Sequence, residues 1–156
     1  MTQPTVENIT THSDEETADL GRRLARTLRG GEVLILSGPL GAGKTVFVRG
    51  LAEGLGLDPK AVHSPSFAMV TEYSDESARC ALVHADLYRI DNPGETEELG
   101  LIDMLEGNRV LAVEWGEKLP ARLRAGAIEI AIEDAGGEMR TVTISGACAT
   151  VKTRVD

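Results

Sequence analysis

The residues with the most explicit chemistry are Gly38-Pro39-Leu40-Gly41-Ala42-Gly43-Lys44-Thr45, which read G-x-x-x-x-G-K-T. Glycines keep side chains out of a tight turn, so successive backbone N–H groups converge on an anion, and the N-terminus of a following helix adds to the field. A lysine after the last glycine reaches the β- and γ-phosphate oxygens, and the next hydroxyl binds Mg²⁺. A purely structural turn needs neither. The segment from Pro39 through Leu40, Gly41, Ala42, Gly43, Lys44 and Thr45 to Val46 is therefore expected to hold a nucleotide, with Lys44 in a catalytic role and Thr45 on the metal.

Such a loop needs a carboxylate at the end of another strand to hold Mg²⁺ or orient water. Glu114 directly ends the apolar run Val110 to Val113 and is the expected metal partner, directly or through water, against a buried ion pair or cap as the plain alternative. Asp86 lies just past the run Cys80 to His84 and suits a role in positioning water or supporting the metal. His63-Ser64-Pro65-Ser66-Phe67 is a polar turn. Its Ser66 could sense Mg²⁺ and the γ-phosphate, or simply form the turn. Zinc at His63, His84 and Asp86 is poorly supported because the spacing is weak and no thiolate is near; a polar site residue or a surface histidine is the better reading of each. Of the five aromatic residues, Tyr88 and Trp115 follow Asp86 and Glu114 and are expected to frame the nucleotide or a docking surface, while Phe67 fits the core equally well.

The elements that must position these groups follow from periodicity. Ser13 and Glu16 form an S-x-x-E capping box, and Leu20, Leu24 and Leu28 share a helical face, so a helix is expected from about Asp14 to Leu28, stopped by Gly30-Gly31. Glu32 to Ser37 is a compact apolar run that suits a buried strand of a largely parallel sheet. The phosphate loop then enters a helix reaching about Leu55. Strands around Phe67 to Tyr73 and Cys80 to Ala85 form a hairpin, Glu95 to Leu105 is helical, and Val110 to Val113 is a second buried strand. Residues 126–133 and 138–144 are two strands around D-A-G-G, followed by an edge or tail. The expected fold is α/β: one P-loop NTPase domain spanning 1–156, core about 12–145, with a mixed central sheet flanked by helices.

The chain has 156 residues, 25 acidic against 16 basic, and a formal net charge of -9. This balance opposes a broad nucleic-acid-binding surface. Two distant cysteines, Cys80 and Cys148, suit neither a disulfide framework nor a zinc knuckle. With no apolar run long enough for a membrane and no leader-like N-terminus, the expected location is the cytoplasm. The surplus is patchy: Asp91, Glu95, Glu97, Glu98, Asp103 and Glu106 lie in a base-free stretch, a candidate docking face.

Asp91-Asn92-Pro93-Gly94 imitates the D-x-x-G of GTPases, but it does not directly end a buried strand and no N-K-x-D segment follows, so ATP is favoured. Small-molecule kinases use the same loop but bring several arginines over the transferred group, and residues 90–108 contain none. Three classes stay open: a partner-dependent ATPase, a small-molecule kinase, and a nucleotide-binding regulator without relevant turnover.

Taken together, G-P-L-G-A-G-K-T, H-S-P-S-F, H-A-D-L-Y-R and V-E-W-G-E resemble the TsaE family, the small ATPases of bacterial tRNA threonylcarbamoyladenosine biosynthesis, over roughly residues 12–145. The resemblance implies an ATPase working with TsaB-like and TsaD-like proteins, which install threonylcarbamoyl on adenosine 37 of tRNAs reading codons that begin with A. Any link to tRNA is then indirect, through that complex. It implies ATP and Mg²⁺ as cofactors, phosphate and Mg²⁺ contacts for Lys44 and Thr45, a metal role for Glu114, a requirement for Asp86, and places for Tyr88 and Trp115 at or near the nucleotide. The family commonly has threonine where this chain has Ser66; the hydroxyl survives. The ATP cycle in that family is thought to reset or regulate the partner complex, and isolated members tend to be slow.

Overall fold

The computed structural model describes residues 6–39, 41–65 and 69–146. Seven strands form one sheet: β1 (Val6–Thr11), β2 (Val33–Ser37), β3 (Val70–Tyr73), β4 (Ala81–Asp86), β5 (Arg109–Glu114), β6 (Ile128–Gly136) and β7 (Met139–Ser145), in the spatial order β1-β7-β6-β2-β5-β4-β3. The central run β6-β2-β5-β4 is parallel, and β1, β7 and β3 add antiparallel edges. The sheet is thus mixed, as expected. Its middle strands are apolar on both faces because helices cover both faces.

Side chains alternate across the pleat, so each central strand feeds two cores. Leu34, Leu36, Leu82, Val110 and Ala112 meet α1 (Asp14–Ala25) and α2 (Lys44–Leu55). Val33, Ile35, Val83, Ala85, Leu111 and Val113 face the other way, toward the segment that contains α4 (Leu101–Met104) and Leu119. α1 and α2 lie backbone to backbone: a Cβ on Gly21 would overlap the Phe47 carbonyl, and one on Gly50 would overlap the Ala18 carbonyl. This close approach fixes α2, whose N-terminus carries the phosphate loop.

The structure refines several expectations. α1 is capped by Ser13, whose Oγ accepts from the Glu16 N–H at 3.1 Å, while Glu16 Oε1 accepts from the His12 N–H at 3.1 Å, one residue earlier than in a closed capping box. The helix ends at Ala25, and the following residues tighten into i→i−3 turns that still bury Leu28. The single helix expected over Glu95 to Leu105 is two pieces, α3 (Pro93–Glu98) and α4, because Gly100 turns left-handed at φ 72° between them. Asp86 is the last residue of β4 rather than lying beyond it. β3 and β4 form the expected antiparallel hairpin over Val70–Tyr73 and Leu82–Ala85; Phe67, Ala68 and the tail from 147 lie outside the described residues. The strands around D-A-G-G are β6 and β7, joined with a bulge near Asp134. β1 carries no apolar alternation in V-E-N-I-T-T and was not expected from the sequence. α5 (Ala121–Arg124) is a single turn between β5 and β6.

Candidate nucleotide site

Along the face that α1 and α2 cover, polarity changes at the carboxyl edge of the sheet. β4 runs Leu82, His84, Asp86; β5 runs Val110, Ala112, Glu114; β2 runs Leu34, Leu36 and then the loop glycine Gly38. Asp86 stands beside Glu114 in the β4–β5 register, and Leu36 beside Glu114 in the β2–β5 register. The apolar ends pack, and the polar ends meet the phosphate loop at the edge where open α/β sheets take ligands.

The loop depends on two glycines in particular. Gly38 adopts φ 140°, and a Cβ there would overlap the Ile132 carbonyl of β6. Gly43 adopts φ 105° as the residue from which α2 starts, with no side-chain cap. The first N–H groups of α2 are therefore available to an anion rather than to a protein side chain.

Lys44 bridges the loop and the sheet. Its Nζ donates to the Gly38 carbonyl at 2.8 Å and stands 3.2 Å from Glu114 Oε1. On the other side, His84 Nε2 lies 3.3 Å from Glu114 Oε2 without forming a hydrogen bond, and both ring nitrogens of this fully buried histidine lack a hydrogen-bond partner among the described residues. Burial pushes the Glu114 carboxyl up, but the adjacent His84 and Lys44 outweigh it and hold the group below its ordinary value. Glu114 is consequently a carboxylate at neutral pH. His84 is no surface histidine, and among the described residues no three His, Cys, Asp or Glu side chains converge on a metal position.

Trp115 follows Glu114 with φ 65°, a left-handed conformation that costs a bulky residue free energy. The turn sends its ring toward Tyr88, with centroids 5.2 Å apart at 53°. Lys118 donates to the Tyr88 carbonyl at 2.6 Å, with its Nζ 5.5 Å from the Trp115 centroid. Asp86 Oδ1 accepts from the Tyr88 N–H at 2.9 Å, which ties this wall to the sheet edge. Both aromatic rings stay exposed, Tyr88 at 62% and Trp115 at 44%. They line a cavity of about 740 Å³ together with Gly38, Pro39, Lys44, Asp86 and Glu114. A second lobe of about 280 Å³, walled by Gly41, Gly43, Thr45, Val46 and Arg140, also includes Lys44 and Glu114.

The structure thus brings Pro39, Gly41, Gly43, Lys44, Thr45, Val46, Asp86, Tyr88, Glu114 and Trp115 to one two-lobed cavity. Ala42 is buried, 1% exposed, and lines neither lobe; its carbonyl accepts from Arg140 Nε. Leu40 and Ser66 lie outside the described residues. The family model described as "Threonylcarbamoyl adenosine biosynthesis protein TsaE" matches residues 11–142. The chain belongs to the TsaE family. Relatives named tRNA threonylcarbamoyladenosine biosynthesis protein TsaE include one from Bacillus subtilis, 38% identical over 86% of this chain and 82% of the relative. Another, from Streptomyces coelicolor, is 42% identical over 82% of this chain and 88% of the relative. The crystal structure of Bacillus subtilis YdiB superimposes with a TM-score of 0.71 at 32% identity, covering 94% of this chain and 89% of that one.

For this TsaE-family chain the donor set fits a Mg²⁺–nucleotide. The loop amides, the α2 N-terminus and Lys44 suit a polyphosphate, and Thr45 with Glu114 suits a hard cation that takes only one or two protein ligands beside phosphate and water. Two residues of the site, Lys118 and Arg140, escaped the sequence, and for His84, which the sequence allowed as a polar site residue, only its neighbour did. His84 faces Glu114 because i and i+2 share a strand face, a relation recoverable only once the β4–β5 register is known. Lys118 reads as an ordinary surface lysine. Arg140 follows a hairpin turn and reads as solvent-exposed, yet its side chain is only 13% exposed and its Nε donates to the Ala42 carbonyl at 2.9 Å.

Proposed function

We propose that this protein is a partner-dependent Mg²⁺-ATPase that serves the threonylcarbamoylation of adenosine in tRNA. The observation that carries this reading is the meeting of Lys44 and Glu114 at the junction of the two lobes, with the Thr45 hydroxyl on one side and the Tyr88–Trp115 wall on the other. Polyphosphate occupies the lobe walled by Gly41, Gly43 and Thr45, and the base lies toward the exposed aromatic residues Tyr88 and Trp115. Lys44 compensates charge on the β- and γ-phosphates. Thr45 and Glu114 hold Mg²⁺, which supplies charge neutralisation at the transferring phosphoryl group. Asp86, held on the Tyr88 N–H, orients water at the edge of the sheet.

The family to which the chain belongs, and the names of its relatives, support the tRNA modification role. TsaB-like and TsaD-like proteins are the proposed partners, tRNA is reached through them, and the cytoplasm is the proposed location. Among the described residues no helix is long and apolar enough to cross a membrane. ATP hydrolysis measured alone and with the TsaB-like and TsaD-like proteins tests the reading. A large stimulation by the partners is the expected result. Full activity alone toward a small acceptor would instead make the protein a kinase, and binding without turnover in either condition would make it a nucleotide-responsive regulator.

A further inference from the structure

We infer that Arg140 is a positioning residue for the phosphate loop, setting the orientation of the Ala42–Gly43 peptide and with it the affinity for polyphosphate. The inference rests on the reading of the cavity as an ATP site and adds a residue from the far edge of the sheet.

Arg140 is the second residue of β7, directly after the turn that joins β6 to β7. Its side chain leaves that hairpin and crosses to the loop, where Nε donates to the Ala42 carbonyl at 2.9 Å. Nη1 donates at 2.8 Å to the carbonyls of both Gly137 and Met139, and lies 3.6 Å from Asp134 Oδ1. The guanidinium is thus clamped to its own hairpin by one nitrogen while another holds the loop. A planar fork does this in a single rotamer; an ammonium on a flexible stem does not.

The peptide bond makes that contact directional. Among the described residues no peptide is cis, and in a trans peptide the carbonyl of Ala42 and the N–H of Gly43 point in opposite directions across one rigid plane. Holding the Ala42 oxygen toward β7 therefore turns the Gly43 N–H away from the hairpin. Gly43 is the residue most able to flip, because it has no Cβ and already stands at φ 105°. The flanking peptides are held locally, with the Ala42 N–H donating to the Pro39 carbonyl at 3.1 Å and the Phe47 N–H to the Gly43 carbonyl at 3.0 Å, but Gly43 has no side-chain cap. Arg140 adds a restraint on the peptide between them, through the Ala42 carbonyl, from 98 residues away in sequence. Its charge also lies on the wall of the smaller lobe, beside Gly43 and Thr45.

The test compares the parent with Arg140→Gln, Arg140→Ala and Arg140→Lys, reading affinity for ATP and for adenosine separately with Mg²⁺ present, alongside thermal unfolding. The expected result is a loss of ATP affinity of about tenfold or more in Arg140→Gln and Arg140→Ala, adenosine affinity within twofold of the parent, and partial recovery in Arg140→Lys, which keeps the charge and a single donor nitrogen but not the fork. Equal losses for ATP and adenosine, or ATP affinity within twofold of the parent in folded variants, overturn the positioning role. A parent that binds adenosine but gains nothing from the phosphates refutes the ATP reading itself, and this inference with it. If the larger truncations do not fold, hydrogen exchange of residues 41–45 in Arg140→Lys decides: faster exchange than the parent supports the restraint, and unchanged exchange rejects it.

Discussion

Lys44 Nζ stands 3.2 Å from Glu114 Oε1 and is at the same time bonded to the Gly38 carbonyl, so one ammonium links the start of the phosphate loop to the end of β5. Both side chains are mostly buried, at 16% and 11% exposure, so solvent screens the pair only weakly. Replacing Lys44 by Ala removes the polyphosphate counter-charge as well as this link. ATP affinity or turnover should fall by roughly 100-fold or more, since a preorganised charge in a partly desolvated site is worth several kcal/mol. Unchanged nucleotide affinity and activity would sink the assignment.

Glu114 makes the pair sensitive to acid. Its carboxyl is held below the ordinary value of 4.5 although burial opposes this, because His84 and Lys44 favour the charged form. A depressed folded value means that the stabilisation is present above the unfolded pKa and lost as pH falls through the folded one. Glu114→Gln should therefore be less stable than the parent near neutrality, and the gap should close below the ordinary carboxylate range. Urea unfolding of both proteins from about pH 7 down to about pH 3 measures this. A gap constant over that range would show that the pair does not act as described.

The same residues show what a linear sequence conveys. Gly38 to Thr45 was legible because the motif is local, and Glu114 and Asp86 were legible because a carboxylate ending an apolar strand must reach the sheet edge. Gly100, by contrast, divides a segment whose leucine spacing fits one helix, and nothing in the apolar pattern marks the break. β1 is held by ladder hydrogen bonds to β7, with Glu7 and Thr11 turned inward, so hydrophobic alternation is silent about it. Arg140 and Lys118 act through backbone carbonyls of distant segments, which no spacing rule anticipates.

The α1–α2 seam gives a prediction about stability rather than chemistry. Gly50→Ala and Gly21→Ala each place a methyl group into a carbonyl of the facing helix. Neither backbone can retreat without moving α2, so each change should cost about 1–3 kcal/mol, or several degrees of Tm. Gly126→Ala is the control: a Cβ there meets nothing within 4 Å, and stability should be unchanged or slightly raised. Thermal unfolding that ranks the three alike would contradict the backbone-to-backbone packing.

Cys80 reports on the same core. It is 3% exposed, and burial raises its thiol above the ordinary 9.0, so the reactive thiolate is scarce at neutral pH. In a Cys148→Ser background, a thiol-alkylating reagent should leave the native protein almost unlabelled and label it fully in denaturant. Rapid labelling under native conditions would mean that the β4 end of the core opens far more readily than its packing implies.

Trp115 joins strain to function in one residue and is the chain's single tryptophan, so its fluorescence reports on the site without labelling. Its ring stands over the larger lobe beside Tyr88, and adding Mg²⁺-ATP should change its emission in the parent and much less in Lys44→Ala. The backbone carries a second signature. At φ 65° an alanine keeps the steric penalty of the left-handed region whereas a glycine does not. Trp115→Gly should therefore be at least as stable as Trp115→Ala, reversing the usual order, while both lose nucleotide affinity. If Trp115→Ala proved the more stable by about 1 kcal/mol, the conformation would carry no strain, and the placement of the ring would need another cause than the turn after Glu114.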